Sequence, residues 1–134
     1  MADASDRAYE PTAIGLIDQA KKSVTLSMYL VRESEDERHP VNRLLKDLLE
    51  AAQRGVRVEI YLNTRFKGSR GHTDKILETP ALKRLKNQGA QVIGVSENRR
   101  LHDKLLIVDE RFVLEGSTNW SIEALRVNWE SNSL

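Results

Sequence analysis

The sequence predicts a single α/β domain built on a mixed, largely parallel β-sheet that is flanked by helices on both faces. Over residues 13–95, apolar β-branched runs alternate with helical stretches, and this strand-helix-strand-helix-strand order is typical of parallel strands joined by crossovers. A later pair of short apolar runs around Asp109-Glu110 predicts an antiparallel hairpin, which makes the sheet mixed. With 134 residues and 40% hydrophobic residues, the chain has the size of one globular domain, 1–134.

Helices are expected where apolar residues recur every three or four positions. Thr12 can cap the first, Pro40 precedes the second, and Thr79-Pro80 gives a cap followed by a proline in the first turn of the third. Gly55 stands where a left-handed residue commonly ends a helix. The predicted helices span residues 13–22, 41–54, 81–88 and 121–126.

Strands are expected at residues 24–30, 56–62, 90–95, 101–108 and 111–114, with the start of another at 128–134. The chain ends inside this last run, so truncation after Leu134 is weighed equally with a complete domain. We expect both tryptophans, Trp120 and Trp129, to pack in the interior rather than to stack on a substrate.

Composition restricts the function classes only in part. The net charge of +1 gives no global basic field, so any nucleic-acid contact must rest on local patches. Cysteine is absent, which excludes disulfides and thiolate metal sites. No apolar run approaches the ~20 residues of a membrane-spanning helix. The polar start M-A-D-A-S-D-R lacks a signal-peptide core, which makes a cytoplasmic location the default and leaves the mature form of an exported protein open.

The most informative stretch carries His102-x-Lys104-x4-Asp109, followed after six residues by Gly116-Ser117-x-Asn119. In a strand, residues two apart share a face, so His102 and Lys104 should point the same way. The return strand of the hairpin should bring Ser117 and Asn119 to the same sheet edge. A phosphodiester needs a nucleophile, a proton donor for the leaving oxygen, and donors for the nonbridging oxygens. Imidazole, ammonium, amide and hydroxyl groups together can meet these needs.

This stretch resembles the phospholipase D superfamily, whose members carry an H-x-K-x4-D-x6-G-[GS] signature. The similarity extends to the A-K-K-S-V-T-L-S-M-Y and R-G-V-R-V-E-I-Y-L strands, and among short members with a single signature it is greatest to bacterial endonucleases. The resemblance implies a metal-independent phosphodiesterase without a cofactor. It also implies a phosphohistidine intermediate, in which a second histidine protonates the leaving group.

The resemblance assigns roles residue by residue. His102 is expected to be the nucleophile or general acid, with Lys104 and Asn119 on the nonbridging oxygens. Ser117 and Gly116 would support the phosphate, and Asp109 would support the hairpin. Glu130, in the V-N-W-E segment, is expected to accept a hydrogen bond from the histidine's other nitrogen.

The signature occurs once, because His39 and His72 lack the lysine and aspartate at the required offsets. Two histidines of opposite protonation are needed, so the resemblance favours a homodimer that completes the active site. Half of a two-motif enzyme is the alternative.

Substrate class is the open question. A nuclease acting on DNA or RNA is favoured, a phospholipase D or phosphatidyltransferase acting on phospholipid is the alternative, and a catalytically idle nucleic-acid-binding scaffold is less favoured. Cationic residues before and within loops could contact a phosphate backbone, or could simply be solvated. These residues are Arg65, Lys67, Arg70, Arg99 and Arg100. The acidic run 33–37 would repel a polyanion and should lie away from the site.

Overall fold

The computed structural model describes residues 2–64, 74–95 and 101–134, with residues 74 and 75 described by their backbone alone. The helices are α1 (Tyr9–Asp18), α2 (Pro40–Gln53) and α3 (Pro80–Asn87), with 3-10 turns at Asp6–Ala8 and Asp74–Glu78 and a π-helical turn at Glu123–Val127. The strands are β1 (Ser23–Met28), β2 (Arg57–Asn63), β3 (Gln91–Val95), β4 (Lys104–Val108), β5 (Phe112–Gly116) and β6 (Asn132–Ser133).

The described strands form one six-stranded sheet in the order β3-β2-β1-β4-β5-β6. β1 pairs in parallel with β2, and β2 with β3, whereas β4, β5 and β6 join antiparallel. The predicted α/β class, the mixed sheet and the late hairpin are therefore confirmed.

The core lies between the sheet and one layer of helices. Alternate strand residues such as Val24, Leu26 and Ile60 are fully buried in a single apolar cluster that also includes residues of all three α-helices. Helix α2 contacts both α1 and α3, so the three helices lie side by side. The sequence predicted helices on both faces of the sheet. The described α-helices occupy one face, and on the other face residues such as Thr25 and Ile107 are half-buried.

Helix α1 begins earlier and ends earlier than the sequence predicted. Pro11 lies in its first turn, where the missing N–H group costs no hydrogen bond, so the helix includes the proline instead of starting after it. Thr12 is inside the helix, and its hydroxyl donates to the carbonyl oxygen of Ala8 at 2.6 Å. At the other end, Lys21 and Lys22 lie beyond the helix, and their backbone N–H groups donate to Asp109.

The hairpin between β4 and β5 turns through two residues with left-handed backbone conformations. Asp109 and Glu110 have φ angles of 56° and 55°, the positive values that the central residues of a type I′ turn need, and the Arg111 N–H donates to the Val108 carbonyl oxygen. The Asp109 carboxylate stabilises this turn by accepting N–H groups of Lys22, Ser23 and Lys21 at 2.7–3.1 Å. These backbone donors hold the pKa of Asp109 below its usual value.

The N-terminal segment adds an unpredicted strand-like edge beside β6. Ala2 and Leu134 exchange backbone hydrogen bonds, and Ala4 donates to the carbonyl oxygen of Asn132. β6 is shorter than the predicted 128–134 strand, and before it the Glu130 carbonyl oxygen accepts the backbone N–H of Asp6.

The two tryptophans have opposite environments. Trp120 is fully buried and donates from its indole nitrogen to the Tyr9 hydroxyl at 3.0 Å. Trp129 is 90% exposed, so the prediction that it packs in the interior is wrong. It lies in the extended segment between the π-helical turn and Glu130, where no described element covers it.

Candidate active site

A cleft of about 520 Å³ opens where β4 begins. Residues of β4, of β5 and of the segment entering β6 line it. The lining residues are His102, Asp103, Lys104, Leu105, Glu115, Gly116, Ser131, Asn132 and Ser133. The cleft thus joins the two halves of the sequence signature, which the hairpin folds side by side.

His102 and Lys104 are in direct contact at this cleft. The Lys104 ammonium lies 3.3 and 3.4 Å from the two ring nitrogens of His102 and 3.0 Å from its backbone oxygen. His102 is exposed and Lys104 is half-buried. The predicted proximity of the imidazole and the ammonium is present, and both groups are open to a ligand.

Opposing effects act on the charge of Lys104. Partial burial lowers the pKa of its ammonium below the usual value, whereas the negative charges of Glu130 and Asp103 oppose that shift. A substrate phosphate would add a further negative charge that favours the ammonium form.

Glu130 is held by the N-terminal region and by Ser117. Its backbone N–H donates to the Asp6 carboxylate at 2.6 Å, and its own carboxylate accepts the Ser117 hydroxyl. The Arg7 guanidinium donates to the backbone oxygen of Asn128. We expected Glu130 to accept from His102, but no hydrogen bond joins these two residues, both of which the structure describes. Glu130 instead orients Ser117 and acts on Lys104 through its charge.

Gly116 is required by the close approach of the segment that enters β6. A Cβ atom at this position would overlap the backbone oxygen of Ser131 and the Asn132 side chain. Ser117 and Ser131 then exchange hydrogen bonds of 3.0 and 2.9 Å. The glycine therefore lets Glu130 lie beside Ser117.

Asn119 does not line the cleft, and its neighbour Trp120 lies next to the chain that leaves β1. Trp120 exchanges backbone hydrogen bonds with Leu30 and Arg32. The side-chain oxygen of Asn119 is buried and has no hydrogen-bond partner in the described part of the chain. Such an unpartnered amide oxygen is costly unless a hydrogen-bond donor, such as water, satisfies it.

Asp109 is remote from the cleft. It follows the end of β4 whereas His102 precedes its start, and seven residues of extended chain span roughly 20 Å. Asp103, which separates His102 from Lys104, points to the cleft and accepts the Ser27 hydroxyl at 3.1 Å.

Tyr29 is a site residue that sequence reasoning missed. Its ring centroid lies 4.8 Å from that of His102 and 5.4 Å from the Lys104 ammonium. It follows the last residue of β1, and the pairing of β1 with β4 could have suggested that it faces the signature. That pairing could not be deduced from the sequence, because β4 is far along the chain.

The basic residues, the acidic run and His39, which the sequence also singled out, have different outcomes. Arg65, Lys67, Arg70, Arg99 and Arg100 lie outside the described residues. The acidic run 33–37 is tied to the starts of the second and third helices, since Asn42 binds Ser34 and Glu33 accepts the Ala81 N–H. His39 has a structural role, because its ring nitrogen accepts the Val41 N–H at the start of α2.

Comparison with known proteins identifies the family of the chain. Residues 13–134 match the family described as "Cardiolipin synthase, PLD-like domain". The chain belongs to this phospholipase D-like family of phosphodiesterase-type enzymes. The signature-bearing cleft lies within the matched range.

Individual relatives show where the similarity extends. Cardiolipin synthase B of Salmonella typhi is 28% identical over 121 residues, which cover 86% of this chain and 28% of that protein. The chain therefore spans little more than a quarter of this curated relative. The crystal structure of a phospholipase D family member, Nuc from Salmonella typhimurium, superposes with a TM-score of 0.73 at 26% identity, covering 98% of this chain and 80% of that one. NucT from Helicobacter pylori shares the fold, with a TM-score of 0.66 at 19% identity, over 98% of this chain and 81% of that one.

Proposed function

We propose that this protein is a metal-independent phosphodiesterase that cuts DNA or RNA through a phosphohistidine intermediate in a homodimer. The observation that carries the proposal is the contact between the His102 imidazole and the Lys104 ammonium at an open cleft, 3.3 Å apart. A nucleophile beside a fixed cation is the minimal arrangement for attack on a phosphodiester.

The first step is attack of a neutral His102 ring nitrogen on phosphorus. The P–O bond to the leaving group breaks as the P–N bond forms, and the leaving oxygen takes a proton from a second histidine. Lys104 stabilises the negative charge on the nonbridging oxygens. The side-chain N–H group of Asn119 is proposed as a further donor to these oxygens, and Ser117, whose hydroxyl donates to Glu130, supports the neighbouring backbone.

The second step is hydrolysis of the phosphohistidine. The second histidine, now neutral, takes a proton from water as the water oxygen attacks phosphorus. The P–N bond breaks and returns its electron pair to His102. General acid–base catalysis of this kind contributes roughly 10²–10⁴-fold to the rate.

The second histidine is proposed to come from a second copy of the chain. The His39 ring accepts a hydrogen bond at the start of α2. Among the described residues, His102 is the one histidine that lines the cleft. A two-fold dimer would bring two equivalent copies of His102 to one site, each with its own Lys104.

A nucleic-acid substrate is supported by the resemblance of the signature to those of bacterial endonucleases and by the similarity to Nuc, at 26% identity with a TM-score of 0.73. Within the described residues, no helix is long and apolar enough to cross a membrane.

Phospholipid is the second candidate substrate, and specific observations favour it. The matched family is described by cardiolipin synthase, and the side chains of Val127 and Trp129 are 71% and 90% exposed close to Glu130. Exposed tryptophan is favoured where an apolar body meets a wet interface. An idle scaffold is less favoured, because His102 and Lys104 stand open at the cleft.

A substrate panel in excess chelator tests the proposal. Single-stranded DNA, RNA, duplex DNA and phosphatidylcholine vesicles are incubated with the parent protein and with Lys104→Ala as the matched control. We expect at least one nucleic acid to be cleaved by the parent and much less by the variant, with the vesicles intact. Cleavage of the vesicles alone would reject the nuclease, and activity that depends on added metal would reject the mechanism.

A further inference from the structure

We propose that Tyr29 is a positioning residue for the catalytic pair, holding the His102 imidazole and the Lys104 ammonium in one arrangement. The inference rests on the proposed function, because it concerns the same cleft. Tyr29 lies outside the sequence signature and was not among the residues that the resemblance assigns.

The backbone fixes Tyr29 beside the signature. The last pair between β1 and β4 joins Met28 to Lys104. One residue further, the Tyr29 N–H donates to the Asp103 carbonyl oxygen at 2.8 Å. The backbone of Tyr29 is therefore attached to the residue between His102 and Lys104, which places the origin of its side chain beside both.

The ring contacts both catalytic side chains. Its centroid lies 4.8 Å from that of the His102 ring, with the planes inclined at 53°, which is a favourable tilted aromatic pair. The Lys104 ammonium lies 5.4 Å from the same centroid, within the range of a cation–π interaction. One aromatic ring thus lies beside both the proposed nucleophile and the cation proposed to bind the phosphate.

Such a support is needed because these side chains are otherwise loosely held. His102 precedes β4 and is exposed, so several rotamers would be open to it. Lys104 reaches back to the backbone oxygen of His102 at 3.0 Å, which ties the cation to the same short segment. A fixed aromatic wall limits both groups to orientations that face the cleft, and a displacement of about 1 Å at a reacting group can cost roughly a hundredfold in rate.

A structural role in the core does not explain the position. The Tyr29 ring is half-buried and is outside the apolar cluster that holds the sheet to the helices. Replacement by another apolar residue should therefore leave the fold intact.

Two substitutions at Tyr29 and one control test the proposal. Tyr29→Phe keeps the aromatic face, whereas Tyr29→Leu removes it. Tyr61→Leu is the control, because Tyr61 is a half-buried tyrosine of β2 whose hydroxyl contacts Glu59. Steady-state cleavage of bis(p-nitrophenyl) phosphate gives kcat and KM separately, and the ring-current shift of the His102 carbon-bound protons is read by NMR.

We expect Tyr29→Leu to lower kcat by about ten- to a hundredfold with a smaller change in KM, and to move the His102 ring resonances toward their positions in an unstructured peptide. Tyr29→Phe should restore kcat to within about threefold of the parent and keep the resonance shift, since the aromatic face remains. Tyr61→Leu should alter neither quantity.

Three outcomes would overturn the proposal. The first is an unchanged kcat in Tyr29→Leu. The second is a loss of kcat in Tyr29→Phe as large as in Tyr29→Leu, which would assign the effect to the hydroxyl. The third is a His102 spectrum that is the same with and without the aromatic ring. If the parent were inactive on every diester, the proposed function would fail, whereas the NMR comparison would still decide whether Tyr29 holds the imidazole.

Discussion

At the scale of single residues, His102 is the side chain on which the proposed chemistry depends most. In a symmetric dimer the same residue supplies both the nucleophile and the general acid, so one substitution removes both functions. Lys104 and Asn119 are proposed to stabilise the negative charge that develops on the nonbridging oxygens. Ser117 and Glu130 hold the neighbouring segments in place.

His102→Ala should lower kcat by roughly a thousandfold or more, because it removes covalent and acid–base catalysis together. The measurement is steady-state cleavage of a simple diester. His39→Asn is the matched control, since asparagine can also cap a helix and His39 serves the start of α2. A residual rate within about tenfold of the parent would reject the assigned role.

Asp47 is a buried carboxyl on α2 that the site does not use. It is 8% exposed, and one of its oxygens has no hydrogen-bond partner in the described part of the chain. Burial, together with the charges of Asp18 and Glu50, raises its pKa to about 6. The folded state therefore binds this proton more tightly than the unfolded chain, and the free energy of unfolding falls as pH rises from about 4 to about 6.

Asp47→Asn should consequently raise the free energy of unfolding at pH 7 by about 1–2 kcal/mol, with little effect near pH 4. Urea denaturation at the two pH values measures the difference. Glu50→Gln, which removes an exposed charge one turn away, should give less than half the gain at pH 7. An equal effect of Asp47→Asn at both pH values would show that the carboxyl is not titrating as described.

Much of the site could be predicted at this scale, because the chemistry of His102 and Lys104 is expressed in residue types at short spacing. Tyr29 and the exposure of Trp129 could not be predicted. Both depend on contacts between segments far apart in sequence, or on the lack of them, and neither residue type specifies its environment.

At the scale of elements, the hairpin of β4 and β5 and the segment entering β6 bring the two halves of the signature together. The hairpin could be predicted from its apolar runs and the Asp109-Glu110 turn. The role of the N-terminal residues could not be predicted, because a short polar stretch has no periodicity that indicates its structure. The Asp6 carboxylate nevertheless accepts the backbone N–H of Glu130 at 2.6 Å and so holds this segment in place.

Gly116→Ala should disturb this arrangement, because the added methyl group would overlap the backbone of Ser131. We expect a loss of about 1–3 kcal/mol in the free energy of unfolding and a drop in kcat of roughly tenfold or more, as Glu130 moves from Ser117. Denaturation and steady-state kinetics on the same samples measure both effects.

Gly15→Ala is the control for this substitution, since a Cβ at that α1 position meets nothing within 4 Å. It should be neutral or slightly stabilising, because alanine favours helix more than glycine does. A fully active Gly116→Ala protein would show that the close approach of the two segments is not needed for the site.

At the scale of the whole molecule, the α/β class and the mixed sheet follow from the βαβαβ pattern and the late hairpin. The strand order, which places β4 beside β1, could not be predicted. The single layer of described α-helices could not be predicted either, because right-handed crossovers place α2 and α3 on one face only when β1, β2 and β3 adjoin in that order. Among the described residues, the cleft presents one histidine, and this is the reason for proposing that the functional unit is a dimer.

A subunit-mixing titration tests this central proposal most directly. Parent protein at a fixed concentration is incubated with increasing His102→Ala protein, and diester cleavage is measured in excess chelator after the subunits have had time to exchange. If each site needs His102 from both protomers, a mixed dimer is inactive, and a tenfold excess of variant should reduce activity per parent chain to about a tenth. Activity per parent chain that stays constant throughout the titration, with exchange verified by labelled subunits, would contradict the shared site.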